Sequence, residues 1–379
     1  MATIAVEYGV NEEDALYLPC RDSELEEVLR AVNAGSSNEI TIINVMWPEG
    51  LRMLNGLTVD ADEMNFLAKR MDSFVPMELM KFIAAASVIN DMDTCKLINL
   101  SFNTERYTLV QDVTDLAQIG KMRYMSIHGG ILPEDQESID FAEIGRKLLS
   151  SGTGIPTEFG LLYENKDEPF ETSYNGVNFP AYYYRADFIA GVRLEYSGKS
   201  EYLYLPEEPV TIEKALKRLG CPDLVECTVI VECYGNIDDN WQGRMDESFE
   251  YEGLYEANHR AFILSNRGLD RDKLLKVLEY SEEVSTEAIG KLAKHLGDFI
   301  VIDDAENVME VGEHFVLYDE MYKAAPEVLA FIDTQALGEY LIQERDGKFI
   351  SGGFVCMEQG CSYEQIMGNG SPKMELGGM

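Results

Sequence analysis

Positive charge is what this chain has least of: 31 Lys and Arg stand against 68 Asp and Glu in 379 residues, a net of −37. Nucleic acids and anionic membranes are held by cationic contacts, so neither is expected as a direct partner. Histidine is scarcer still. The four, His128, His259, His295 and His314, show no metal-ligand spacing, and neither a metal nor a cofactor is expected. Seven cysteines are scattered with no Cys-x-x-Cys pair, which reads as reduced thiols used as small apolar residues. No run of about 18 apolar residues is present, so no membrane span is expected. The opening MATIAVEYGVNEEDALYL lacks a basic region followed by an apolar one, so a cytoplasmic protein without a signal peptide is expected.

Catalytic signatures are missing as well. There is no Gly-x-Ser-x-Gly elbow, no Walker-type phosphate loop and no Gly-rich dinucleotide turn after a strand. The His-Gly-Gly of SIHGGILPED reads as a glycine turn ahead of a helix rather than an oxyanion hole. The chain is therefore expected not to be an enzyme. The alternative from that class is a metal-dependent enzyme using paired carboxylates.

What is present is internal repetition. LYLPEEPVTIEKALKRL at 203–219 matches LYLPCRDSELEEVLRAV at 16–32 at an offset of 187, pairing Leu205 with Leu18, Pro206 with Pro19 and Leu216 with Leu29. FIVIDDAENVMEVGE at 299–313 matches YTLVQDVTDLAQIGK at 107–121 at an offset of 192, pairing Asp304 with Asp112 and Gly312 with Gly120. AAPEVLAFIDTQALGEYLI at 324–342 matches ILPEDQESIDFAEIGRKLL at 131–149 at 193, pairing Asp333 with Asp140 and Gly338 with Gly145. Three blocks in one order make a tandem duplication of a module of about 170–190 residues. Asp140 and Asp333 each follow an isoleucine and precede a helical pattern, where a carboxylate accepts the orphan amides of the first turn, so both are expected to be caps. Asp22 or Ser23 is the expected cap of the helix that carries Leu25, Val28, Leu29 and Val32 at helical spacing. The predicted division is a first module over 1–163, a turn-rich connecting segment over 164–190, a second module over 191–357 and a flexible tail over 358–379.

The acids recur along both copies. In the first they include Asp112 and Asp115, then Glu134, Asp135, Glu137 and Glu143. In the second, an acidic insertion carries Asp238, Asp239, Asp246 and Glu247. Further on come Asp303, Asp304, Glu306, Glu310 and Glu313, then Glu327 and Glu339. Taken singly each reads as a solvated helix face. Taken together they approach the charge of a nucleic acid: at about one charge per 1.7 Å, −37 equals roughly 60 Å of duplex. Carboxylates at that density can occupy a cationic groove and release its counterions without offering bases to read. The competing reading is acidity for solubility alone.

Several of these pieces resemble the ArdA-type antirestriction proteins. The resemblance rests on LYLP followed by a helix, on DEMNFLAKRMDSFVPMELMKF, on YTLVQDV with DLAQIGK, and on the Pro…Ile-Asp-x-x-x-Ile-Gly motif that closes each copy. It covers nearly all of 16–161 and, less closely, 203–357. The resemblance implies an α+β protein: an elongated tandem of two ArdA-like modules, each with small α/β subdomains flanking a helical region. It also implies a DNA mimic that fills the DNA-binding groove of a type I restriction–modification enzyme, with dimers formed through the C-terminal region. An RNA-guided CRISPR nuclease, whose channel is also basic, is the second target within the same physics. Two modules in one chain depart from the family pattern, and a covalent pseudo-dimer is one expectation; a homodimer is the other.

Overall fold

The computed structural model describes residues 4–8, 15–33, 38–89, 93–167, 169–181, 188–319, 321–325 and 327–368; the side chains of Val32, Asn33, Asp135 and Glu137 lie outside that description. It is an α+β chain with small sheets. Two compact units divide it. One holds 1–186, 192–203 and 208–230; the other holds 187–191, 204–207 and 231–379. These units are not the two repeats, because the first strands and helix of repeat two fall mostly in the first unit.

Repeat one begins with β1 (Ile4–Tyr8), β2 (Ala15–Leu18), α1 (Asp22–Asn33) and β3 (Glu39–Trp47), followed by a 3-10 turn over Glu49–Leu54 and β4 (Thr58–Asp60). The strands form an antiparallel sheet in the order β2-β1-β3-β4. Helices α2 (Ala61–Asp72), α3 (Pro76–Val88) and α4 (Thr94–Ser101) follow. Asp60 caps α2 by accepting the amides of Asp62 and Glu63, and Asp93 caps α4 through Lys96. Proline opens α3, where its missing N–H costs nothing. Ile4, Leu18, Leu25, Ile42, Met64 and Phe82 are among the side chains that close this core. Each adds roughly 1.5–3 kcal/mol by leaving water.

The end of repeat one is β5 (Tyr107–Val110), α5 (Leu116–His128), α6 (Pro133–Ser138), α7 (Phe141–Ser150), β6 (Ile155–Thr157) and β7 (Gly160–Glu164). Repeat two opens with β8 (Ala190–Tyr196), β9 (Lys199–Leu205), α8 (Pro209–Leu219) and β10 (Thr228–Tyr234), in a sheet ordered β10-β8-β9. That order repeats β3-β1-β2.

In the second unit come α9 (Asp239–Tyr251), α10 (Leu254–Leu264), α11 (Arg271–Ser281) and α12 (Thr286–Lys294). They are followed by β11 (Phe299–Asp303), α13 (Val308–Tyr318), α14 (Thr334–Glu344), β12 (Lys348–Ile350), β13 (Gly353–Met357) and α15 (Tyr363–Met367). Trp241, Leu274, Ile289, Phe299, Phe315 and Phe354 are fully buried.

The closing parts of the two repeats share their detail. Both sheets are antiparallel with the late strand central, β5-β7-β6 and β11-β13-β12. Tyr107 faces Glu164 in one and Phe299 faces Met357 in the other. Asp140 caps α7 through the Glu143 amide, and Asp333 caps α14 through the Ala336 amide, as their sequence positions predict. The helix pairs α5–α7 and α13–α14 touch backbone to backbone. A Cβ at Gly120 would overlap the Phe141 carbonyl and one at Gly145 the Leu116 carbonyl; Gly312 and Gly338 stand the same way against Thr334 and Val308.

The structure adds detail at three of these places. Neither Asp22 nor Ser23 serves as a simple cap: Asp22 accepts from Asn65 and Thr211, and Ser23 donates to Glu208. The segment over 164–190 carries no helix or strand in its described residues from Asn165 to Ala181, yet it is packed: Tyr174 is buried, its amide and carbonyl both bonded to the Asn99 side chain. Residues 358–368, expected to belong to a flexible tail, hold α15, where Lys291 donates to the Met367 carbonyl. The rest of that stretch, 369–379, lies outside the described residues, as does Pro326 of the repeated motif.

Candidate acidic interaction surface

Helix α9 is the acidic insertion of repeat two. Asp238 caps it by accepting the amides of Asn240 and Trp241. Trp241, Met245 and Ser248 turn inward and are buried. That leaves Asp239, Asp246, Glu247 and Glu250 on the opposite, exposed face. At about 1.5 Å of rise per residue, these four carboxylates spread over roughly 16 Å. Their mean spacing of roughly 5 Å is of the same order as the ~3.4 Å rise per phosphate along one DNA strand. The Tyr234 hydroxyl donates to Asp246; burial together with that bond raises the phenol above its ordinary range. Glu252, just past the helix, behaves differently. It turns inward to Arg260, which is fully buried and also donates to Thr286 and two carbonyls.

A second group surrounds the start of α13. Asp303 at the end of β11 and Asp304 and Glu306 between it and the helix are exposed, with Glu313 exposed on the helix. Asp304 adopts a left-handed backbone, φ 60°. Asn307 caps α13 through the Glu310 amide while the Glu310 carboxylate accepts the Glu306 amide, so Glu310 is committed to the helix start. Asp303 is paired with Lys276 at 2.6 Å. Glu327 and Glu339 are exposed, and Glu339 accepts from Gln335.

In the first unit the acids are more occupied. Asp115 caps α5 through Gln118. Asp112 accepts the Thr114 hydroxyl and amide, which hold its carboxyl below the usual range. Glu143 pairs with Arg146 and Lys147. Glu134 is exposed, and the side chains of Asp135 and Glu137 lie outside the described residues.

The structure thus sorts the sequence-predicted acids by local duty. Asp239, Glu247, Asp304, Glu306, Glu313 and Glu327 project into solvent with no cation at ion-pair distance among the described residues. Asp112, Asp115, Asp238 and Glu310 hold turns and helix starts, and Asp303 and Glu143 are neutralised by neighbours. Glu250 joins the α9 face beside the acids named above; the steps from 239 to 246 to 250 return to one side of a helix. Among the described residues, no group of three or more His, Cys, Asp or Glu is placed to hold a metal ion. All seven cysteines are free thiols. Among the described residues no helix is long and apolar enough to cross a membrane.

No family model, no curated protein and no solved structure matches the chain.

Proposed function

We propose that the protein is an acidic mimic of duplex DNA that inhibits a bacterial defence nuclease by occupying its DNA-binding groove. A type I restriction–modification complex is the first target and an RNA-guided nuclease the second. The observation that carries this reading is the exposed face of α9, four carboxylates in about 16 Å on one side of one helix. The net charge of −37 supports it, because a cationic groove gains from a long run of negative charge whatever the docking register. The two ArdA-like modules inferred from the sequence motifs, and their resemblance to antirestriction proteins, point to the same target class.

The test is a cleavage assay run side by side on a type I restriction enzyme and on an RNA-guided nuclease, each with its DNA substrate. Inhibition of at least one is expected, weakening steeply as salt rises from about 50 to 200 mM, as counterion release requires. The quadruple variant Asp239→Asn, Asp246→Asn, Glu247→Gln, Glu250→Gln is expected to weaken inhibition at least tenfold. An inhibition constant independent of salt, or a quadruple variant as potent as the parent, overturns the reading.

A further inference from the structure

Within the first unit, α8 of repeat two lies against α1 and α2 of repeat one through charged contacts that are largely shielded from water. Lys214 donates to Asp62 at 2.7 Å, and both side chains are only 11% exposed. Thr211 donates to Asp22 at 2.7 Å. Arg218 forks onto Glu201 with bonds of 2.9 and 3.1 Å and reaches Asp62 at 3.9 Å. Although burial works to raise Asp22, Lys69 and the Thr211 hydroxyl, with Lys214 and Arg218, outweigh it and hold that carboxyl below its usual range.

The packed connector joins the same network. Phe179 stacks on Phe66 at 4.4 Å and on Tyr174 at 5.2 Å, and Arg218 lies over its ring at 4.7 Å. The Phe179 amide and the Asn178 side chain both donate to Glu201. The Tyr174 hydroxyl donates to Glu63.

The two sides are not interchangeable. At the offset of 187, Lys214 corresponds to Glu27, Arg218 to Ala31 and Thr211 to Glu24, while Asp22 corresponds to Pro209. Across the contact, repeat two supplies Lys214 and repeat one Asp62, while Arg218 is paired chiefly with Glu201 of its own repeat and Asp22 also faces Lys69 of its own repeat. A second copy of repeat one in place of α8 would bring carboxylates against carboxylates. Removing one member of such a shielded pair leaves the other charged and unmatched, which makes the contact selective even where its net gain is modest.

We infer that this face is a charge-keyed docking surface, built to accept the leading helix of repeat two and to reject another repeat one, with Lys214 as the key and the 171–179 segment latched beneath Arg218. Released, the latch would uncover the stacked rings of Phe66, Tyr174 and Phe179. The inference is independent of the inhibitory function.

The test is made on the full chain with Lys214→Asp, Asp62→Lys, the exchanged pair Asp62→Lys/Lys214→Asp, and Lys217→Asp as the exposed neighbour on α8. Limited proteolysis between 164 and 190 and hydrogen exchange at the Tyr174 amide are the readouts. Each single change at the pair is expected to speed both at least tenfold, the exchanged pair to return them to within about threefold of the parent, and Lys217→Asp to leave them unchanged. Lys214→Asp indistinguishable from the parent overturns the inference. So does an exchanged pair no better than the worse single variant, or a Lys217→Asp variant as open as Lys214→Asp.

Discussion

Asn65 and Asn258 each hold a turn from both sides. Asn65 accepts the Cys20 amide and donates to the Cys20 carbonyl, both at 3.0 Å. Asn258 does the same to Glu207, at 2.7 and 2.8 Å. Both turns follow a cis proline, Pro19 and Pro206. Only an amide side chain offers a donor and an acceptor in the geometry that one residue's N–H and C=O demand. Asn65→Ala leaves two backbone groups without partners at a buried position, so a loss of about 1–3 kcal/mol is expected in denaturant unfolding followed by fluorescence. Asn65→Leu, of similar size, is expected to do no better, since bulk does not replace the bonds. The matching LYLP runs were plain in the sequence. These asparagines were not, because each bonds to a residue 45 or 51 positions away, and no local period marks such a contact.

At the level of elements, the close helix pairs carry the clearest prediction. Gly120 and Gly312 allow α5 and α13 to rest on the backbone of their partner helices. Alanine at either would normally favour a helix by up to about 1 kcal/mol. Here its methyl group would meet a carbonyl oxygen that cannot turn away, so a net loss of about 1–3 kcal/mol is expected, read as a lower thermal midpoint. Gly243, on the open side of α9 with nothing near its missing Cβ, is the control: alanine there is expected to be neutral or stabilising. Much at this scale was legible. Asp140 and Asp333 stand where an acid precedes a helical period and cap as that position implies, whereas Asp115, expected on the acidic interaction surface, caps a helix as well. The α13 stretch, with its several acids, is a helix because Val311, Phe315 and Val316 share a buried side. The connector was less legible: its glycines, asparagines and prolines signal turns truthfully, but turn residues do not say whether the turns pack. Tyr174 and Phe179 do pack, through rings and backbone bonds supplied by α2 and α4. Individual acids resisted reading for the related reason that Glu143 or Asp303 looks the same in sequence whether a lysine or arginine lies beside it in space or not.

For the molecule as a whole, charge sets the response to its surroundings. An excess of 37 negative charges repels itself in the folded state more than in the expanded one. Screening relieves that repulsion, with a Debye length falling from roughly 30 Å at 0.01 M to 8 Å at 0.15 M. The thermal midpoint is therefore expected to rise by several degrees from about 10 to 150 mM sodium chloride, as measured by calorimetry. A flat or falling midpoint would mean that ion pairs such as Lys214–Asp62 dominate over the general repulsion.

The α9 segment shows what a helix with only one committed side permits. At the corresponding place in repeat one, the chain makes a short turn whose Gly50, Leu51 and Leu54 are spent on the core. In repeat two, a full helix occupies that place and commits only its inner side. Its outer positions are then open to drift: carboxylates can be gained, lost or shifted by a turn at no cost to folding. The charge of that face can therefore be rewritten many times over while every hydrophobic position beneath it stays the same.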